Sequence, residues 1–177
     1  MEINNLYLVR ELSILLMDEN VRAMANYRQH GNTDTLTHCI SVAVVAYRMA
    51  CRWNLNVDLS SLIRGGLLHD YFLYDWHSED RPRGHHGFMH PGIARKNAVR
   101  DFDANEIEQD IIHRHMWPMT VIPPRHLESY LVCLADKWCT LQEVFNPNHN
   151  QKTLEIFCAI GIIQTVPEAG GSIGYRA

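Results

Sequence analysis

The sequence lacks most of what marks a secreted, membrane-spanning or nucleic-acid-coating protein. Its five cysteines, Cys39, Cys51, Cys133, Cys139 and Cys158, form no C-x-x-C pair and are odd in number. Buried free thiols in a reducing compartment are therefore expected, with a zinc-thiolate site the weaker alternative. No apolar run approaches the roughly 18 residues that span a bilayer. The first residues carry no basic stretch followed by an apolar core and a small-residue cleavage site, so a cytoplasmic location and no membrane partner are expected. Lys and Arg number 16 against 20 Asp and Glu, without any basic run. That argues against an extended nucleic-acid surface and leaves room only for a local basic pocket. No Pro/Gly/Ser-rich linker, internal repeat or period-two strand pattern is visible.

An apolar fraction of 46% in 177 residues suits one domain with a single sizeable core. The unusual abundance is histidine, with eleven residues concentrated towards mid-chain. The pattern reads as helix after helix. Residues 4–17 and 18–29 are amphipathic and closed by Gly31. Thr33 or Asp34 can cap a long helix to about Trp53. Asp58 or Ser60 starts a helix with Leu59, Leu62, Ile63, Gly66 and Leu67. Residues 75–89 are polar, hold Pro82, Gly84 and Gly87, and read as a loop. Pro91 suits the first turn of a helix ending near Phe102. A short helix over 105–116 stops before Pro118, and Pro123-Pro124 opens another to about Phe145. Segment 151–163 reads as an apolar helix, and the end beyond it as loosely docked. The expected fold is an all-α bundle: helices in 1–32 packing on a core at 33–146, then a helix and tail of the same domain in 147–177.

Several polar residues fall on apolar faces. His38 shares a face with Val42, Val45 and Met49, while Leu36, Ile40, Ala43 and Tyr47 make the opposite side apolar too. A helix apolar all round is central, so His38 is an interior imidazole. By itself it reads as a hydrogen-bonded core histidine. Asp70 continues the stripe of Leu59, Ile63, Gly66 and Leu67, and His69 stacks on Leu62, Gly65 and Gly66. Each helical Gly costs roughly 1 kcal/mol against Ala. The pair predicts a close neighbouring backbone, with the His38 helix as the candidate. Asp136 lies on a face with Val132, Cys133, Cys139 and Thr140. A metal cation would compensate such carboxylates together with the imidazoles. His113 and His115 differ by about 200° around a helix. His115 shares the inward face of Ile107 and Ile111, whereas His113 lies over Gln109 and Asp110. His115 is therefore the better candidate ligand. His90, ahead of Pro91, is placed at a helix entrance.

In this order, His38, His69-Asp70 and Asp136 resemble the HD-domain superfamily of metal-dependent phosphohydrolases. They stand within THCISVAVVAYRMA, LIRGGLLHDYFLYDW and LVCLADKWCTLQEVF, and the resemblance covers roughly residues 33–146. His90 in HPGIA and His115 in IIHRHMWP look like the two further histidines of two-metal members. No GYP motif is present, so cyclic-di-GMP hydrolysis is not implied. HDYFLYDWH departs from the pattern of the dinucleoside-tetraphosphate hydrolases.

The resemblance implies one metal held by His38, His69, Asp70 and Asp136, and a second by His90 and His115 with Asp70 bridging. Such ligands suit Fe, Mn, Co, Ni or Zn. The implied activity is hydrolysis of a small phosphoester, a nucleotide above all, by a metal-activated water. Asp75 is a candidate for orienting that water or protonating the leaving group. Arg81, Arg83, His85, His86 and Lys137 are candidates for holding substrate phosphate. A homo-oligomer is compatible with this reading. The same six ligands would serve an HD-fold di-iron oxygenase, or a non-catalytic metal-binding regulatory module.

Overall fold

The computed structural model describes residues 5–30, 33–75 and 86–146, and the backbone of two short strands at 163–165 and 174–175. Seven α-helices carry the described residues: α1 (Asn5–Leu16), α2 (Glu19–Ala23), α3 (Thr35–Arg52), α4 (Leu59–Leu68), α5 (His86–Phe102), α6 (Glu106–Arg114) and α7 (Leu127–Phe145). Strands β1 (Arg28–His30) and β2 (Thr33–Asp34) pair antiparallel, as do β3 (Ile163–Thr165) and β4 (Gly174–Tyr175). The fold is all-α, as expected.

α3 is the axis of the bundle. The Asp34 carboxylate caps it by accepting from the Thr37 N–H at 2.9 Å. Its residues from Thr35 to Val44 are all buried, as its two apolar faces require. α4 and α7 pack against it, and α6 bridges α4, α5 and α7. The glycine pair explains how the layers come so close. A Cβ on Gly66 would sit 3.0 Å from the Ala43 Cα of α3, and one on Gly65 would sit 2.6 Å from Ile111 Cδ1 of α6. Leu8, Leu12, Leu15 and Leu16 of α1 join the core formed by Leu36, Ile40 and Leu67.

Three boundaries that bear on the site differ from expectation. The stretch 18–29 is helical only to Ala23; a 3-10 turn over Met24–Asn26 and strand β1 follow. The Tyr27 carbonyl is taken there by the Thr35 N–H and hydroxyl, which turns the chain out of the helix. α4 stops at Leu68, so His69 is its C-cap and Asp70 lies in the turn beyond. α5 begins at His86, inside the expected loop, and places Pro91 in its interior rather than its first turn. Lying near the N-terminus, Pro91 forfeits a single bond, to the Gly87 carbonyl. The expected helix at 151–163 lies outside the described residues, except that β3 begins at Ile163.

Candidate metal centre

Helix ends build half of the site. His69 and His115 occupy the C-cap positions of α4 and α6. Helix-terminal carbonyls lack intrahelical donors, and each histidine supplies one. Nδ1–H of His69 donates to the Gly66 carbonyl, and that of His115 to the Ile112 carbonyl, both at 2.8 Å. A carbonyl only accepts, so in the neutral ring the lone pair sits on Nε2 and points away from the helix end. Both rings are buried. The turn after His69 is held from α5, where the Asn97 amide donates to the Tyr71 carbonyl at 3.0 Å.

The other half comes from helix interiors. Asp136 lies on α7 and His38 on α3, with His38 Nε2 3.2 Å from Asp136 Oδ1. His38 Nδ1 meets Glu143 Oε2 at 2.9 Å. Glu143 is two turns beyond Asp136 and is buried, yet sequence reasoning passed over it. The signal was present, because Val132, Asp136, Thr140 and Glu143 lie on one face at helical spacing.

Asp70 joins the halves. Its Oδ1 lies 3.1 Å from His90 Nε2 and 3.5 Å from His115 Nε2. Its Oδ2 lies 3.5 Å from His69 Nε2 and accepts from the Gln29 amide. One oxygen of the carboxylate thus faces His90 and His115 and the other faces His69, so that a single side chain reaches three imidazoles. His69 Nε2 is also 3.9 Å from Asp136 Oδ1. His90 and His115 bring their Nε2 atoms to 2.8 Å. Gln29 arrives from β1, 41 residues before Asp70, and no local pattern in the sequence marks it.

Charge follows from this packing. Burial alone would lower the His38 pKa, but the carboxylates of Glu143 and Asp136 hold it well above its ordinary value. Burial would raise Asp70, yet the imidazoles of His69 and His90 hold it well below the usual carboxylate range. Asp136 is likewise lowered: burial opposes, and the His38 hydrogen bond and His69 outweigh it. Burial pushes His115 down to about 3, with His69 and His90 adding to the shift. At neutral pH the site therefore offers ionised carboxylates and a neutral His115, the protonation states that coordinate metals.

The residues fit a metal on two counts. His69 Nε2 and Asp70 Oδ1 are buried and make no well-aligned hydrogen bond, although His90 Nε2 lies 3.1 Å from the latter, a costly state unless a cation completes them. Two overlapping sets, His38 with His69 and Asp136, and His69 with Asp70 and His115, each bring three ligand atoms within 4.8 Å of one another. His69 belongs to both.

A cavity of about 490 Å³ opens beside the cluster; Asp70, His90, His115 and Asp136 line it, with Met116, Met119 and Leu141 among the apolar wall residues. Lys137 also lines it. At 3.6 residues per turn Lys137 leaves α7 about 100° away from Asp136. Its long stem folds back, so that Nζ donates to the carbonyls of His115 at 3.1 Å and Cys133 at 3.3 Å, 4.0 Å from Asp136 Oδ2. His113 is exposed on the far side of α6. Asp75 is exposed and is not among the residues lining the cavity. Arg81, Arg83 and His85 lie outside the described residues, as does the side chain of His86. No described helix is long and apolar enough to cross a membrane. Among known proteins, a family model described as an HD domain matches residues 35–141. No curated protein and no solved structure matches the chain.

Proposed function

We propose, from the premise that this chain belongs to the HD-domain family, that it is a phosphohydrolase acting on a small phosphoester, a nucleotide in particular, with divalent transition metal at the His/Asp cluster. The observation that carries the reading is the pair of buried atoms without a well-aligned hydrogen bond, His69 Nε2 and Asp70 Oδ1, of which Asp70 lines a substrate-sized cavity. His38, His69, Asp70 and Asp136 would hold one metal. His90 and His115 would hold a second, with Asp70 between them. The donor set of imidazoles and carboxylates suits Fe, Mn, Co, Ni or Zn. When bound, the metal supplies Lewis acidity towards a phosphoryl oxygen and a water.

The chain's own residues supply position and charge. Gly66 and Ile112 fix the tautomers of His69 and His115 through their carbonyls. Glu143 does the same for His38, and Gln29 fixes the plane of the Asp70 carboxylate. Lys137 has three N–H donors, and two go to backbone carbonyls. The third remains for a substrate phosphate in the cavity, as a point charge. Met116, Met119 and Leu141 give the pocket an apolar wall that suits the apolar faces of a substrate. Asp75 is not given a role, since it stands away from the cavity lining.

Elemental analysis of anaerobically purified protein, followed by a phosphate-release screen over nucleotides with each candidate metal, tests the reading. Metal-dependent phosphate release is expected. Turnover that requires dioxygen and releases no phosphate would assign the same ligands to an oxygenase. Tight metal binding with neither activity would leave a regulatory module.

A further inference from the structure

α7 presents an inverted surface. Its charged residues Glu128, Asp136 and Glu143 are buried, and Lys137 is turned back onto carbonyls. Every exposed residue of its 19 is apolar. Leu127, Tyr130, Leu134, Trp138, Leu141 and Phe145 are 41–81% exposed, and Val144 adds to their flank. They recur at three- and four-residue steps along the whole helix, about 28 Å at 1.5 Å per residue. That spacing is the seam by which one helix packs along another. A monomeric surface seldom leaves so continuous an apolar stripe uncovered.

The composition of the stripe selects its occupant. No charged side chain stands in it, so it offers nothing to a charge-complementary partner. A membrane surface is disfavoured too, because an interfacial helix is held on lipid by several flanking cations and α7 carries one, Lys137, which is turned back onto carbonyls. An apolar seam complements itself, which is what a two-fold interface between identical chains requires. At the fractional exposures given above, these side chains offer on the order of 800 Å², the share per partner of a standard-size interface. Leu141 belongs to the stripe and also lines the metal-site cavity, as does the 52%-exposed Met119 in the preceding segment. Whatever covers the stripe therefore lies against the cavity rim.

We propose that the exposed face of α7 is the interface of a homodimer, formed by α7 of one protomer against α7 of a second copy, and that the second copy closes the rim of the metal-site cavity. The proposal is independent of the reaction catalysed.

Sedimentation of the full-length protein from about 1 to 100 µM tests it. The wild type is expected to be a dimer. Leu134→Glu/Trp138→Glu should be a monomer with unchanged far-ultraviolet circular dichroism, its dissociation constant raised at least about 100-fold. Leu134→Gln/Trp138→Gln, a milder pair, serves if the charged one does not fold, and should also weaken the dimer. Val99→Glu, at an exposed apolar residue of α5 outside the stripe, should remain dimeric. A wild type that is monomeric throughout the range would overturn the proposal, whether residues 147–177 cover the stripe or the protein sediments with lipid vesicles. A dimer that survives both pairs, or that Val99→Glu dissociates equally, would overturn it as well.

Discussion

The two halves of the cluster are built differently. His38, Asp136 and Glu143 stand within the two longest described helices, Glu143 in the last turn of α7, and answer one another: an imidazole lies between two carboxylates, each within 3.2 Å. His69, Asp70, His90 and His115 stand on helix ends, a turn and the first part of α5. There the contacts are incomplete: two atoms make no well-aligned hydrogen bond, and two imidazole nitrogens face each other at 2.8 Å. The first half is compensated without metal, because a proton on His38 can take the place of the cation. In the second half the imidazoles of His69 and His90 offset the Asp70 charge, but His69 Nε2 and Asp70 Oδ1 make no well-aligned hydrogen bond and the His90 and His115 nitrogens face each other. The core half is therefore a structural anchor as well as a ligand set, while the helix-end half exists for its ligand.

The comparison breaks first at Asp70, the one residue proposed as a ligand to both metals. Asp70→Ala should abolish tight binding of both metals and reduce phosphate release to background, with the helical content of the fold retained. Metal counting and circular dichroism on one sample check this. Asp136→Ala should act on metal and fold together. It removes one carboxylate from a buried charge pair, a loss of about 3–5 kcal/mol, and denaturant unfolding with chelator present should reveal it. Glu143→Ala separates positioning from ligation. All six candidate ligands remain, yet metal affinity should fall by about 10–100-fold, the usual effect of removing the partner of a ligating histidine. Unchanged affinity would show that the His38–Glu143 contact is only packing.

The effect of pH sharpens the contrast further. His38 is held above its ordinary value in the metal-free fold. Its contribution to stability is thus fully present below the unfolded value of about 6.5 and is lost as pH rises through the folded value. Asp70 and Asp136 are held below the ordinary carboxylate range. Their contributions are present above about 3.9 and are lost as pH falls through the folded values. Chelator-treated protein should therefore lose thermal stability between neutral and alkaline pH. Metal-loaded protein should resist that loss, because the cation replaces the His38 proton. Melting curves with and without chelator decide the point, and identical pH profiles would count against it.

Much of this was legible in the sequence, for reasons that can be traced. α3 declared itself central by being apolar on both faces. The Gly65-Gly66 pair announced close packing, and Gly66 indeed meets Ala43 of α3. The inward placement of His115 and the outward one of His113 followed from 100° per residue. Glu143 was legible in principle, but a Glu near a helix end ordinarily reads as solvated. Gln29 was not legible, since its partner Asp70 is 41 residues away. The start of α5 was misplaced because Gly84, Gly87 and Pro91 all argue locally against helix, whereas the packing of Ala94 and Ala98 into the core favours it. The inverted surface of α7 was hidden by its own pattern. A stripe of Leu and Trp reads as core until the charged residues prove to be the buried ones.

The central claim, that the helix-end half exists to hold metal, is tested most directly by metal stoichiometry in His115→Ala beside His113→Ala. Both should be purified anaerobically and measured at equal protein concentration against the wild type. The account predicts two metals in the wild type, one in His115→Ala and two in His113→Ala. Loss of metal from His113→Ala but not from His115→Ala would contradict it.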